Sequence, residues 1–360
     1  MEHPPVYDRP PLAALSIADL AVLVAELGAP SYRSRQVYAA VNRRAALVPA
    51  EVPVLPRGLV VRLAAATGPA ATAVAEEQVS ADGTTKLLLG LADGRRVETV
   101  WIPEGGRRTI CVSTQVGCPI GCAFCASGVG GLVRNLAAVE IVEQVLQAIR
   151  SRRARPTHLV VMGMGEPLLN LEALAEAVRR WRDPEGLGLS PRRITVSTAA
   201  TGALVDRLLE EDLGVALAVS LHGPTDETRA RLVPTSRPGR VEELVEAATR
   251  YARESGRDAT VEYVLVAGEN DGPADADALV RLLRGRHLHA NLIPLNPVGH
   301  RPDLAAPSGL EARAFLHRLE AGGLSATLRT RRGADIRAAC GQLALERAIG
   351  ARSPGAPPRG

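Results

Sequence analysis

From Thr109 onward, short β-rich runs alternate with helix-length amphipathic stretches, and this alternation restricts the fold more than any other feature of the chain. Strand-like runs fall near 110–114, 158–162, 193–197, 215–221, 260–266, 290–294 and 326–330. Helical patterns occupy 138–150, 171–181, 240–254 and 309–321, among others. Such repetition means βα units around a parallel sheet. With this many units, a full or partial (β/α) barrel is expected rather than a dinucleotide-binding sheet. Barrels of this kind carry their active sites at the C-terminal ends of the strands.

The first hundred residues read differently. Residues 1–15 are Pro-rich and are expected to form a mobile tail. Helical patterning begins near Ser16, where Ser16 and Asp19 form an N-terminal capping pair. A second helix follows around 34–44, then a Pro-rich break at 49–56. Two extended runs, 86–91 and 95–102, flank Ala92-Asp93-Gly94, and Asp-Gly there signals a hairpin. The expected organisation is therefore a tail over 1–15, a small helical accessory domain with a hairpin over 16–104, an α/β barrel domain over 105–345, and a disordered tail over 346–360.

Hydrophobic residues make up 46% and charged residues 23% of the 360, as in a globular protein with a sizeable core. The longest apolar runs, such as 87–91 and 215–221, are far below the roughly 20 residues that cross a bilayer. The N-terminus MEHPPVYDRPP has no apolar signal region, so a cytoplasmic, membrane-free protein is expected. Net charge is +4, carried almost wholly by arginine, with Lys86 the one lysine. Arginine suits phosphate and base edges, although a GC-rich genome gives the same bias. Aromatics, at 2%, are too scarce for a stacking platform.

The five cysteines are Cys111, Cys118, Cys122, Cys125 and Cys340, an odd count that argues for metal or redox chemistry over a disulfide framework. Cys118, Cys122 and Cys125 form a CxxxCxxC in a glycine-rich loop after a strand. Three thiolates on one loop suit a [4Fe–4S] cluster with one open iron, to which a small molecule binds. The alternative left open by spacing is a zinc site completed by a distant His or Cys.

This CxxxCxxC, with Phe124 before the last cysteine, resembles the radical-SAM signature. Further segments, Cys111-Val-Ser-Thr-Gln-Val-Gly-Cys118, Met162-Gly-Met-Gly-Glu-Pro-Leu168, Val219-Ser-Leu-His222, Glu262-Tyr-Val-Leu265, Asn291-Leu-Ile-Pro-Leu-Asn-Pro297 and Asp335-Ile-Arg-Ala-Ala-Cys-Gly-Gln-Leu343, resemble the RlmN/Cfr family of rRNA adenine methyltransferases. The resemblance covers roughly 80–343 and implies a radical-SAM partial barrel, one SAM-bound [4Fe–4S] cluster and S-adenosyl-L-methionine. It implies that Cys340 is methylated by a first SAM, and that a radical from a second takes hydrogen from that methyl group. The methylene then joins the adenine, and Cys111 releases the RNA by forming a disulfide with Cys340. Each cysteine has a plainer reading, Cys340 as a small buried hydrophobe and Cys111 as a core-facing strand residue.

The same resemblance makes Glu98 the proton acceptor, against the ordinary fate of an exposed strand glutamate. It assigns SAM contacts to Gly165, Glu166, Ser197, Ser220, Leu221, His222 and Asn296, with Gly163–Glu166 letting backbone approach the ligand. His158, His287, His289 and His317 carry no such assignment. Ala126-Ser-Gly128, Ser197-Thr-Ala-Ala200, His222-Gly-Pro and Tyr38-Ala-Ala-Val depart from the usual pattern and mark a divergent branch. Glu166-Pro, Ile293-Pro-Leu-Asn and Ile336-Arg-Ala-Ala-Cys look closer to the carbon-2 than to the carbon-8 branch. The implied partners are 23S rRNA, transfer RNA and a flavodoxin-type electron donor to a monomeric enzyme. Carbon-8 methylation, or a radical-SAM enzyme with a non-RNA substrate, are the alternatives.

Overall fold

The computed structural model describes residues 2–234, 240–330 and 332–343. Three helices open the chain: α1 (Ile17–Glu26), α2 (Tyr32–Arg44) and α3 (Arg57–Ala66). Next come β1 (Thr72–Val79), β2 (Thr85–Leu91), β3 (Arg96–Glu104), β4 (Arg107–Cys111), β5 (Gln115–Gly117) and β6 (Leu132–Asn135). Strands and helices then alternate as α4 (Ala138–Arg152), β7 (His158–Val161), α5 (Leu171–Arg182), β8 (Ile194–Thr198), α6 (Gly202–Glu210) and β9 (Ala216–Ser220). The last elements are α7 (Asp226–Leu232), α8 (Val241–Ser255), β10 (Ala259–Leu265), α9 (Pro273–Leu283), β11 (His289–Pro294), α10 (Gly309–Ala321) and β12 (Ala326–Leu328).

Ten of these strands form one sheet in the order β1-β2-β3-β4-β7-β8-β9-β10-β11-β12, while β5 and β6 pair separately. Strands β1 to β4 are antiparallel, and every pairing from β4 to β12 is parallel. The order is linear, so this is a partial barrel within an α/β fold. Its parallel strands are near-continuous apolar runs because both faces are covered. In β9, Leu217, Ala218 and Val219 are all 0% exposed. Helices supply the outer layer: α5 buries Leu171, Leu174, Ala175, Val178 and Trp181 at helical spacing along one face.

Local chemistry sets several boundaries. Ser16 and Asp19 exchange hydrogen bonds in a capping box that starts α1. The β2–β3 turn uses Gly94 at φ 79°, while Asp93 Oδ1 accepts from Arg95 N at 3.0 Å. Arg134, 1% exposed, ties that turn to α4 through Asp93 Oδ2 at 2.6 Å and Glu140 Oε2 at 2.8 Å.

The structure adds to the sequence reading in three places. Residues 2–15 are not a free tail: Leu12 and Ala13 are each 1% exposed, and Arg180 donates to the carbonyls of Ala14 and Leu15. The apolar Leu-Ala pair within the Pro-rich stretch provides the anchor. The helix α3 and the strand β1 were not anticipated. The first lacks a polar N-cap, starting after Pro56, and β1 is a mostly exposed edge strand whose Glu76 and Glu77 hide its alternation. The expected boundary at 104/105 separates no cores, because β3 and β4 pair directly across it and one apolar cluster runs through both parts. The tail expected over 346–360 lies outside the described residues.

Glu143 of α4 is buried and accepts from Ala71 N, Thr72 N and Thr72 Oγ1, fastening α4 to the start of β1. Burial outweighs these donors and raises its pKa from 4.5 to about 7. Between those two values the native chain binds more protons at Glu143 than the unfolded chain does, so this residue's contribution to stability falls as pH rises. Buried, neutral His222 acts in the opposite sense, because its pKa is lowered from 6.5 to about 3. The Glu143 contribution is therefore read by difference. Melting curves of Glu143→Gln should show a more positive slope of stability against pH than the parent across that window. Parallel slopes would show that Glu143 keeps its ordinary carboxyl behaviour.

Candidate active site

The C-terminal ends of the parallel strands converge on one pocket. Its wall includes Cys118, Cys122 and Cys125 from the loop between β5 and β6, and Gly165 and Glu166 after β7. Ser197 of β8, Ser220 of β9, His222, Asn296 and Cys340 complete the set of sequence candidates on the wall. Glu98, Cys111 and Leu221 are not on it. Leu221 is 0% exposed and contributes its main-chain N–H to Glu262 O, so its side chain belongs to the core.

The cysteine loop folds tightly on itself. Gly121 adopts φ 69°, and a Cβ on Gly128 would lie 2.8 Å from Gly121 Cα, so both positions demand glycine. Burial raises all three thiol pKa values, Cys118 to about 12, and charge on neighbouring cysteines raises those of Cys118 and Cys122 further. Such mutually repelling thiolates form readily only around a cationic centre. Among the described residues no group of three His, Cys, Asp or Glu is placed to hold a single metal ion. Three cysteines spread around a wall fit separate corners of a cuboidal iron–sulfur cluster instead.

Glu166 is 2% exposed and heavily committed: Oε1 accepts from Thr198 Oγ1 at 2.7 Å and Leu168 N at 3.1 Å, and Oε2 from Ala199 N at 2.8 Å. Burial raises its pKa while those donors and Arg229 oppose the rise. The glycines before it lie on the wall and are also packed against the chain behind it. A Cβ on Gly163 would meet Ser113 Oγ at 2.6 Å, and one on Gly165, at φ 108°, would meet Gln115 Cβ at 2.7 Å. Ser197 Oγ and Ser220 Oγ stand 3.2 Å apart.

His222, at φ 58° and 4% exposed, accepts from Val264 N through Nδ1 at 3.1 Å. Burial and the Arg229 charge lower its pKa to about 3, so the ring is neutral. With Nδ1 accepting, the proton resides on Nε2, leaving His222 as a fixed donor. Asn296 donates from Nδ2 to Cys340 O at 3.1 Å, and its buried Oδ1 has no partner. Glu262 Oε2 is likewise buried without a hydrogen-bond partner, although Oε1 accepts from Asn291 Nδ2 at 2.8 Å. The orphaned Asn296 Oδ1 calls for a donor from a ligand, while Glu262 Oε2 faces Arg329 Nη1 at 4.0 Å.

Cys340 is exposed and reaches the pocket on a segment clasped to the cysteine loop. Ala126 N donates to Gly341 O at 2.8 Å, Ser127 Oγ to Leu343 O at 2.6 Å, and Gln342 Nε2 to Pro297 O at 3.0 Å. Cys111, at the end of β4, is 7% exposed; burial and the charge of nearby Cys340 push its thiol up to about 12. Both are free thiols, so the disulfide implied by the resemblance is not formed in this structure. Glu98 is not an exposed strand glutamate: it is 5% exposed and lies 3.0 Å from Lys86 Nζ.

Sequence reasoning missed Glu262 and Arg329 as wall residues, and Arg229 behind the wall. Arg229 is 3% exposed, donates to Ala199 O at 2.8 Å, and its charge reaches Cys122 and Glu166. The Glu262 motif was visible, but nothing in it separates a pocket carboxylate from a core-facing one.

The Radical SAM superfamily profile matches residues 112–280. The "Probable dual-specificity RNA methyltransferase RlmN" of Symbiobacterium thermophilum is 43% identical over 338 residues, covering 93% of this chain and 91% of the relative. The "Probable dual-specificity RNA methyltransferase RlmN 1" of Opitutus terrae is 45% identical over 348 residues, covering 94% and 98%. The crystal structure of a radical SAM methyltransferase from Sphaerobacter thermophilus superposes with a TM-score of 0.88 at 44% identity, over 93% of this chain and 99% of that one.

Proposed function

The chain belongs to the RlmN family of radical-SAM RNA methyltransferases, and on that premise we propose that it methylates carbon 2 of an adenine in 23S rRNA, with transfer RNA as a further substrate. The observation that carries this reading is the clasp that sets Cys340 in the same pocket wall as Cys118, Cys122 and Cys125. A methyl carrier is useful only beside the place where a radical is made.

Cys118, Cys122 and Cys125 would hold a [4Fe–4S] cluster and leave one iron open. When bound, that cluster supplies an electron to S-adenosyl-L-methionine, whose cleavage yields a radical able to take hydrogen from an unactivated methyl group. Asn296 Oδ1 and Glu262 Oε2 accept from the amine or hydroxyl groups of that ligand, and His222 Nε2 donates. Cys340 carries the transferred carbon. Glu98 removes the ring proton once the carbon is attached, and Cys111 attacks Cys340 sulfur so that the sulfur–methylene bond breaks as the two form a disulfide. The freed methylene takes a proton to become methyl, and the one surplus electron would return to the bound cluster. This route meets the problem that carbons 2 and 8 of adenine are poor nucleophiles.

The carbon-2 assignment draws on Glu166-Pro, Ile293-Pro-Leu-Asn and Ile336-Arg-Ala-Ala-Cys. A flavodoxin-type donor, a monomeric state and a cytoplasmic location complete the proposal. Among the described residues no helix is long and apolar enough to cross a membrane. The test is anaerobic incubation of the reconstituted protein with S-adenosyl-L-methionine, a reductant and unmodified 23S rRNA or transfer RNA, followed by nucleoside mass spectrometry. The expected product is 2-methyladenosine; 8-methyladenosine would move the enzyme to the other branch. S-adenosyl-L-methionine cleavage without any methyladenosine would reject RNA as the substrate.

A further inference from the structure

Of the 43 lysines and arginines, only Lys86 is a lysine. It is also buried, at 9% exposure, in a chain whose other cations are all arginine. Its ammonium lies 3.0 Å from Glu98 Oε1 and donates to Arg337 O at 3.3 Å. Lys86 pairs with Val100 across β2 and β3, and Val100 with Cys111 across β3 and β4, so the three share one row and one face of the sheet. Glu98, two residues from Val100, faces the same way. Thr99 faces the opposite way and donates to Gln144 of α4, which covers the other side.

Lys86 therefore touches Glu98 directly, shares a row with Cys111, and holds the segment that carries Cys340. Arg337 takes φ 51°, a left-handed conformation disfavoured for any L-residue with a Cβ, and its carbonyl is the one that the ammonium grips. A compact tetrahedral ammonium meets a carboxylate and a carbonyl in different directions, which a planar guanidinium fork does less well. A buried ion pair contributes little net stability because desolvation offsets the attraction, so stability does not account for keeping this one.

We propose that Lys86 is a positioning residue that keeps Glu98 ionised and aimed at the adenine joined to Cys340, with the Arg337 carbonyl fixing that segment to the same ammonium. This rests on the reading of Glu98 as proton acceptor and Cys340 as carbon carrier. In the step concerned, the ring carbon–hydrogen bond breaks heterolytically: the proton goes to the Glu98 carboxylate and the electron pair stays with the ring. The ammonium fixes the orientation of the carboxylate that takes the proton. Lys86 acts on release of the covalent RNA–protein adduct and not on the cleavage of S-adenosyl-L-methionine that precedes it.

The experiment compares full-length, cluster-loaded wild type, Lys86→Met, Lys86→Gln, Lys86→Arg and Glu98→Gln across mildly acidic to alkaline pH. Two quantities are followed: 5′-deoxyadenosine formed, and the rate at which the adduct becomes free methylated RNA. Lys86→Met should form deoxyadenosine and adduct to the wild-type extent but release RNA about tenfold more slowly, the consequence of a carboxylate no longer held in place, with the acid limb of its release profile moved toward higher pH. Lys86→Gln gives the same result and serves if the methionine variant does not fold. Lys86→Arg, which keeps the charge, should leave the acid limb of the release profile where it is in wild type. A neutral variant with the wild-type release profile, or one in which deoxyadenosine and release fall together, would overturn the proposal. Wild-type release by Glu98→Gln would instead remove the proton-acceptor reading, and this inference with it.

Discussion

Replacing Cys340 with alanine should abolish methyl transfer to RNA while iron content and S-adenosyl-L-methionine cleavage stay at the parent level. The loss should be at least on the order of a thousandfold, because a covalent route has no substitute once its carrier atom is gone. Retention of the cluster follows from how the segment is held. Its clasp uses the carbonyls of Cys340, Gly341 and Leu343 and the side chain of Gln342, none of which the substitution touches. The Cys340 side chain is also exposed, so truncation leaves no packed cavity. Iron and sulfide analysis, deoxyadenosine yield and transfer of label from methyl-labelled S-adenosyl-L-methionine separate the contributions. Methylated RNA from Cys340→Ala at an appreciable rate would mean that the carbon reaches adenine without passing through this residue. Loss of iron together with methylation would mean that Cys340 supports the cluster loop.

How much of this was legible depended on where each residue's partners lie in the chain. The parallel core was readable because strands such as 215–221 are buried on both faces and so stay apolar without interruption. The β2–β3 hairpin was readable because Asp93-Gly94 encodes its own turn. By contrast, the packing of Leu12 and Ala13 depends on surfaces from distant segments, including Arg180 and the helices around it, which no local pattern announces. The strand β1 was hidden by its exposed edge position. In the site, spacing alone placed Cys118, Cys122 and Cys125, since three ligands on one loop are a local feature. The glycines at 163 and 165 were visible, but not that they also make room for Ser113 and Gln115, residues about fifty positions away. Glu98 and Lys86 show the same limit. Sequence marks a glutamate and a lone lysine, and only β2–β3 pairing makes them neighbours.

Replacing Cys111 with alanine should convert the enzyme from a catalyst into a trap, with RNA accumulating on the protein through Cys340 at up to one RNA per chain. Cys111 lies at the end of β4, buried, close enough to Cys340 for charge on one to raise the pKa of the other. Nothing earlier in the sequence of steps needs its sulfur, so radical formation and attachment of carbon to adenine proceed without it. On the proposed route release does need it, and needs it as a thiolate, because only the thiolate attacks sulfur. Burial, which pushes this thiol up to about 12, makes that attack slow unless the proton is removed as the bond forms. Release in the parent should therefore quicken with rising pH through the alkaline range, whereas Cys111→Ala should show little release at any pH. The substitution removes one sulfur from a small site, a loss of about 1 kcal/mol that leaves the fold intact. The measurement is a denaturing gel of the reaction with labelled RNA, followed by mass spectrometry of the nuclease-trimmed peptide that contains residue 340. A nucleotide adduct on that peptide is the expected result. Free methylated RNA from Cys111→Ala at the parent's rate would assign release to another group and leave Cys111 as a buried residue of β4.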